Sequence, residues 1–186
     1  MEEKFRRLLQ KLRPNEERPE LVSDPYSHED MINEVSEASS QLSPEDVRKI
    51  HFLESSEGKM LENPASTAKG NFQILDKTRE EVLSKLNPEE IPVNPLRKDA
   101  LLMKELVKGY ENTLENSNKG PYEPNLENVY SAHHFGKQGA LNILNNPKNP
   151  LSKARLKQIK RLLGKKLPEK DEEVKPAKDL LDLLEE

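Results

Sequence analysis

Sustained runs of apolar side chains at helical spacing occur mainly between about residues 43 and 163, which restricts where this chain can build a core. Hydrophobic residues make up only 33% of the 186 positions, against about 45–50% in an average soluble domain. So polar a chain cannot bury enough apolar area to offset the ordering entropy of its whole length. We therefore expect one domain of roughly 100–120 residues that carries polar extensions.

The helix signals inside this region predict a mainly α domain with a small β-hairpin or loop insert. Ser43 is a favourable N-cap and Pro44 suits the first helical position, so a helix is expected to begin there and to end near Gly58. Turn-forming residues between Asn63 and Leu75 predict the insert. Further helices are predicted at about 77–86, 95–114, 126–135, 139–144 and 152–163, with a break at Gly136.

The polar extensions complete the predicted organisation. Residues 1–42 are expected to hold one short amphipathic helix, at 2–12, followed by a polar linker, and residues 43–168 to form the domain. Residues 169–186 form an acidic tail. Leucine-bearing segments at 5–12 and 180–184 are too short to be stable helices alone, so we expect them to dock on partner proteins if they order at all.

Composition excludes several classes of protein. The chain has no cysteine, so it has no disulfide, zinc ribbon or catalytic thiol. Its apolar runs are too short for a transmembrane helix, and its N-terminus lacks the apolar stretch of a secretory signal peptide. A net charge of −4 argues against specific nucleic-acid binding. The basic segment 152–166 is expected to be either a solvated helix face or a surface attracted to anionic wall or membrane.

Glu54 is the candidate catalytic residue because its position conflicts with its charge. It shares a helix face with Val47, Ile50 and His51, by spacings of three, four and seven residues. It also lies late in its helix, where the macrodipole disfavours a negative charge by roughly 0.3–1 kcal/mol. Both effects favour a neutral carboxyl group, which can act as a general acid near neutral pH. The alternative is a slightly rotated helix that leaves Glu54 in solvent.

Three sequence blocks in order resemble lytic transglycosylases of the lysozyme-like superfamily, most closely the type found in phage virion proteins. The first is Glu54-Ser55 at a helix end, and the second is the run from Ala68 through Gly70 to Gln73. The third is the segment 130–141, which contains Tyr-Ser-Ala-His-His-Phe-Gly. The resemblance covers about residues 44–144 and departs from the family pattern in the glycine after the first block, which is displaced to Gly58.

This resemblance implies a lysozyme-like helical fold and cleavage of the β-1,4 bond between N-acetylmuramic acid and N-acetylglucosamine, with a 1,6-anhydro product. Glu54 would be the general acid and then the base. Gly70 would let the hairpin backbone approach a sugar, Gln73 would bind N-acetyl or hydroxyl groups, and Tyr130 would present its hydroxyl to Glu54 or to the substrate. The expected substrate-binding residues are Ser55, Gly70, Phe72, Gln73, Tyr130 and His133.

Several expectations follow about partners and alternatives. We expect no metal and no cofactor, peptidoglycan glycan strands as the ligand, and association with a virion that delivers the enzyme to the host cell wall. Glu57, Glu62 and Asp76 are candidates for the second carboxylate that a hydrolytic lysozyme would need. The other alternative is a degenerate lysozyme-like scaffold that binds glycan without cleaving it. His133 and His134 adjoin on a helix and point to different sides of it, so the sequence indicates that at most one of them faces the cleft.

Overall fold

The computed structural model describes residues 25–165, so the two leucine-bearing segments and the acidic tail lie outside the described residues. Within this range the fold is mainly helical with one small antiparallel sheet, which confirms the predicted fold class. The elements are α1 (His28–Glu37), α2 (Pro44–Ser55), β1 (Ala68–Lys69), β2 (Ile74–Leu75), α3 (Asp76–Leu83), a 3-10 turn (Pro88–Glu90), α4 (Pro95–Glu115), α5 (Leu126–Asn145) and α6 (Pro150–Leu163).

Helix α2 begins at the predicted cap. The Ser43 side chain accepts a hydrogen bond from the Asp46 backbone N–H, and the Asp46 carboxylate accepts one from the Ser43 N–H. The helix ends where Ser56 adopts a left-handed conformation with φ of 51°. This termination places Glu54 in the last turn, as the sequence predicts.

The β-hairpin lies between α2 and α3. Ala68 pairs with Leu75 and Lys69 pairs with Ile74 in antiparallel register. The connecting turn carries Phe72, which is fully buried and anchors the hairpin in the core.

Helix α1 contradicts the predicted linker. Residues 28–37 form a helix whose Met31, Ile32 and Val35 are buried against α4. The Tyr26 hydroxyl and the Lys104 ammonium both bind the Glu34 carboxylate, which fixes α1 to α4. The expected domain start at 43 is therefore wrong, because the packed unit already includes residue 26. The high polarity of this segment conceals a short apolar stripe on one face.

Helices α4, α5 and α6 complete the core. The buried side chains of α4 are Ala100, Leu102, Met103, Leu106, Val107, Tyr110 and Leu114. Gly136 interrupts α5 with φ of 74° and ψ of 160°, so the predicted break is confirmed. Beyond it, α6 packs on α5 through Ile159 and Leu162. None of the helices described between residues 25 and 165 is long and apolar enough to cross a membrane.

Candidate active site

Glu54 is a largely buried carboxyl group in the last turn of α2. Its side chain is 14% exposed. Burial raises its pKa to about 7, although the nearby His134 and a hydrogen bond with Tyr130 act in the opposite direction. A carboxyl group with such a pKa is substantially protonated near neutral pH and can therefore donate a proton.

Tyr130 of α5 contacts Glu54 directly. Its ring is buried, with 2% of the residue exposed, and its hydroxyl hydrogen-bonds with the Glu54 carboxyl group. Burial and the neighbouring carboxyl group raise the pKa of this phenol well above its usual value, so the hydroxyl keeps its proton. Of the two contacts that the sequence suggested for Tyr130, the structure shows the one with Glu54.

His133 is a buried connection between the hairpin and α5. Its Nε2 donates to the Phe72 carbonyl oxygen at 2.9 Å, and its Nδ1 lies 3.4 Å from the Tyr110 hydroxyl. Burial lowers the pKa of His133 to about 4, so the ring is neutral at physiological pH. Both ring nitrogens contact protein groups and only 6% of the side chain is exposed. His133 therefore has a structural role between the hairpin and α5, and its contact with substrate stays a prediction.

Ser55 and Phe72 also have internal roles. The Ser55 hydroxyl donates to the His51 carbonyl oxygen and accepts from the Gly58 N–H, and the residue is fully buried. Phe72 packs its ring 5.7 Å from that of His51, with no exposed surface. A ligand cannot reach either side chain, so the expected substrate contacts of these two residues are wrong.

Gly70 makes room for an ion pair between Arg79 and Asp99. With φ of +78°, it turns the hairpin, and a Cβ placed on it would lie 2.6 Å from both Asp99 carboxylate oxygens and closer still to Arg79. Arg79 Nη2 and Asp99 Oδ1 are 3.0 Å apart and largely buried. The space that a Gly70 side chain would occupy is therefore filled by protein, while approach of a sugar to the Gly70 backbone stays a prediction.

Gln73 braces the loop that follows α2. Its side-chain amide donates to the carbonyl oxygens of Met60 and Gly70, both at 3.0 Å. Its backbone φ of 46° is unusual for a residue with a side chain. These bonds fix the hairpin relative to the end of α2, while contact of the half-buried Gln73 with a substrate stays a prediction.

A buried polar network behind Glu54 was missed by sequence reasoning. The Asn71 side-chain oxygen lies 2.9 Å from His51 Nε2 and 3.1 Å from His28 Nε2, while its amide donates to Asp99 at 2.9 Å. The residues in contact are up to 43 positions apart in the sequence, so no local sequence pattern predicts these contacts. The network locks the hairpin to α2 one turn before Glu54 and thereby fixes the site.

His134 is the histidine of the adjoining pair that solvent reaches. The residue is exposed, and its ring centroid lies 5.9 Å from that of Tyr130. Its charge favours the ionised form of Glu54, and the Glu54 charge in turn raises the pKa of His134. Burial nevertheless lowers the pKa of His134 below its usual value. Of the two histidines, His134 therefore faces the open side of the site.

A separate depression of about 300 Å³ lies on the hairpin, and it does not include Glu54. It is lined by Glu62, Asn63, Pro64, Ser66, Ala68 and Lys69. Across residues 25–165, no group of three or more histidine and carboxylate side chains is arranged to hold a metal ion. In comparisons with known proteins, no family model matches the chain and no curated protein is significantly similar to it.

Proposed function

We propose that this chain cleaves the glycan strands of peptidoglycan as a lytic transglycosylase, with Glu54 as its general acid. The observation that carries the proposal is the nearly buried carboxyl group of Glu54 at the end of α2, which Tyr130 hydrogen-bonds and whose pKa burial raises to about 7. It coincides with the residue at which the sequence resembles that family. A helix end with an unpaired acid is otherwise unfavourable, and such local conflicts concentrate at functional sites.

The reaction needs one proton donor and one internal nucleophile. Glu54 gives its proton to the oxygen that links muramic acid C1 to the next sugar, and the C1–O bond breaks with its electron pair on that oxygen. The C6 hydroxyl of the same muramic acid bonds to C1 and gives its proton to a base on the same face of the sugar, from which the proton returns to the Glu54 carboxylate. The 1,6-anhydro product forms without water, and Glu54 is reprotonated at the end of the cycle.

The charges around Glu54 favour this single-acid scheme over hydrolysis. A hydrolytic glycosidase pairs two carboxyl groups about 5–9.5 Å apart, and a second carboxylate so close raises the pKa of the first. Among the described residues, no other carboxylate contributes to the pKa of Glu54. Of the candidates, Asp76 lies instead 3.4 Å from Lys69 on the hairpin.

Digestion of purified peptidoglycan, followed by mass analysis of the soluble products, tests the proposal. We expect muropeptides that end in 1,6-anhydromuramic acid. Products with reducing ends would instead indicate a hydrolytic lysozyme. If the folded protein binds the sacculus but releases nothing soluble, the chain is a glycan-binding scaffold.

Virion association belongs to the same proposal. It is supported by the Ala-His and Gly-Ala elements between residues 132 and 140, which resemble those of phage structural proteins. Immunoblotting of purified particles with an antibody to this chain would detect it there. Its absence from the particles, together with its presence in infected cells, would contradict this location.

A further inference from the structure

His134 is exposed to solvent, whereas the side chain of its neighbour His133 is only 6% exposed. It lies one helical turn after Tyr130, so both side chains project from the same face of α5. Its ring meets Tyr130 on one side and the edge of Phe135 on the other, at centroid distances of 5.9 and 4.8 Å. Tyr130 in turn hydrogen-bonds with Glu54. The exposed imidazole therefore lies next to the tyrosine that hydrogen-bonds the acid.

The surroundings reverse the usual order of protonation of these two groups. An ordinary glutamate ionises well before an ordinary histidine loses its proton, which would leave a carboxylate and an imidazolium near pH 6. Here burial raises the pKa of Glu54 to about 7 and lowers that of His134 below its usual 6.5. Both shifts therefore favour the neutral forms, a protonated acid and an unprotonated imidazole.

The chemistry of an anhydro product requires a base on the same side as the acid. The C6 carbon of the sugar lies on the face from which the β-linked oxygen departs, so a bond from O6 to C1 must form on that face. The group that takes the O6 proton must therefore be the Glu54 carboxylate left after proton donation or a base next to it. Glu57, Glu62 and Asp76 do not contribute to the charge environment of Glu54, whereas His134 does.

We propose that His134 is the catalytic base of this site and takes the proton of the attacking C6 hydroxyl, an inference that rests on the proposed function. As O6 bonds to C1, its proton moves to an unprotonated ring nitrogen of His134. The proton of Glu54 has gone to the departing oxygen, so the step leaves a carboxylate beside an imidazolium. Transfer of one proton from His134 to Glu54, directly or through water, restores the starting state.

The charged and titratable groups around His134 agree with this role. Glu54 of α2 favours its protonated form, and His133 of its own helix opposes it. The Tyr110 hydroxyl of α4 lies 3.4 Å from His133 Nδ1, and the Lys137 ammonium lies 6.0 Å over the Tyr110 ring. From α6, Arg155 lies 5.2 Å over the Phe135 ring, at the edge of the same cluster. The imidazolium that the step creates is therefore stabilised mainly by the Glu54 carboxylate that forms with it.

An NMR titration of the histidine rings tests the electrostatic interaction between Glu54 and His134 without an activity assay. Replacing Glu54 by Gln removes the negative charge, so the pKa of His134 should fall relative to that in the unmodified protein. Glu57→Gln is the matched control and should leave it unchanged. An identical His134 titration in the Glu54→Gln variant would show that the two groups are not coupled, and would overturn the proposal.

Kinetics on peptidoglycan test the catalytic role. For His134→Gln we expect kcat to fall about 100-fold, the magnitude of a lost general base, with little change in KM. The acid limb of the kcat profile, where His134 becomes protonated, should disappear. The control is Gln138→Ala, which changes an exposed residue on the same helix beyond the kink. This variant should have the kcat and KM of wild type and both limbs of the pH profile of kcat.

The possible results separate this inference from the proposed function. An active wild type with an unaffected His134→Gln variant would leave Glu54 as both acid and base and overturn the role of His134. A rise in KM alone, with an unchanged pH profile, would make His134 a binding residue and also overturn it. A folded wild type that releases no product would overturn the proposed function and this role together, and the titration would still report whether the pair exists.

Discussion

Glu54 Oε1 lies 4.0 Å from His133 Nε2, yet the two groups do not form an ion pair. The proton on Nε2 is directed to the Phe72 carbonyl oxygen at 2.9 Å. Burial lowers the pKa of His133 to about 4 and raises that of Glu54 to about 7, so both are largely neutral between these values. His133 thus holds the hairpin against α5, and it leaves the proton of Glu54 available for transfer.

The first prediction concerns the acid itself. Glu54→Gln should reduce turnover of peptidoglycan by at least about 10²–10⁴-fold, because the amide cannot give up a proton. The fold should be kept, since the amide is nearly the same size. Circular dichroism and a turnover assay measure both effects. Glu57→Gln, two residues beyond the helix end, is the control, and unchanged activity of Glu54→Gln would contradict the assignment.

The second prediction is a pH dependence of stability caused by Glu54. Its pKa is higher in the folded protein than in the unfolded chain, so its contribution is fully present below about pH 4.5 and is lost as pH rises through about 7. At about 1.4 kcal/mol per pKa unit, the rise from 4.5 to about 7 sets an upper limit of about 3–4 kcal/mol on the loss. Urea unfolding at pH 5 and pH 8 should show wild type losing more stability than Glu54→Gln across this interval. Parallel curves would contradict a raised pKa.

Much of the fold was predictable because local signals agreed with tertiary packing. The Ser43 cap, the Asn94-Pro95 start of α4 and the break at Gly136 are set by residues within a few positions of each other. Helix α1 was missed although Ser27 to Asp30 repeats the capping pattern of Ser43 to Asp46. The capping pattern therefore indicates a helix at this position, but the polar composition of the surrounding segment is typical of a linker.

The only part of the site that the sequence could predict is the part that depends on a single helix face. Spacing placed Glu54 toward the core, and burial there follows from its neighbours on α2. The roles of Gly70 and Phe72 depend on residues far away in sequence, such as Asp99 and His133, so the motif gave their positions but not their partners. The spacing of adjoining histidines also cannot say which one is exposed, because that depends on how α5 is rotated against α2.

The third prediction concerns the network behind Glu54. Asp99 is 5% exposed, pairs with Arg79 at 3.0 Å and accepts two hydrogen bonds from Asn71. Asp99→Ala leaves these buried donors without partners and should cost about 3–5 kcal/mol in the free energy of unfolding. Asp76→Ala, whose carboxylate is exposed and 3.4 Å from Lys69, should cost less than about 1 kcal/mol. Urea unfolding measures both, and equal losses would show that the network contributes little.

The fourth prediction compares two glycine substitutions. Gly70→Ala imposes a side chain at φ of +78° and drives it into the ion pair of Asp99, so we expect a loss of at least about 1–3 kcal/mol. Gly109→Ala, within α4, meets only the flexible end of Lys137 and should be neutral or stabilise by up to about 1 kcal/mol. Thermal unfolding followed by circular dichroism distinguishes the two. A stable Gly70→Ala protein would mean that the hairpin rearranges easily.

The last prediction concerns α1, which the sequence placed outside the domain. Met31, Ile32 and Val35 are almost completely buried, and burial of such side chains contributes about 1.5–3 kcal/mol each. Their sum approaches the whole stability of a typical domain, about 5–15 kcal/mol. Removal of residues 1–42 also takes away Ser39 and Ser40, which hydrogen-bond the buried carboxylate of Glu111. A chain that begins at Ser43 should therefore fail to fold cooperatively.

A chain that begins at residue 25 is the matched comparison, because it retains every contact described for α1. It should unfold in one cooperative transition, whereas the chain from Ser43 should show a broad transition or none in urea and in heating experiments. The shorter chain should also lose peptidoglycan cleavage, since α1 contributes His28 to the network that positions α2 and the hairpin. If the chain from Ser43 unfolds cooperatively at near wild-type stability, then α1 is not needed for the domain core, and this prediction is wrong.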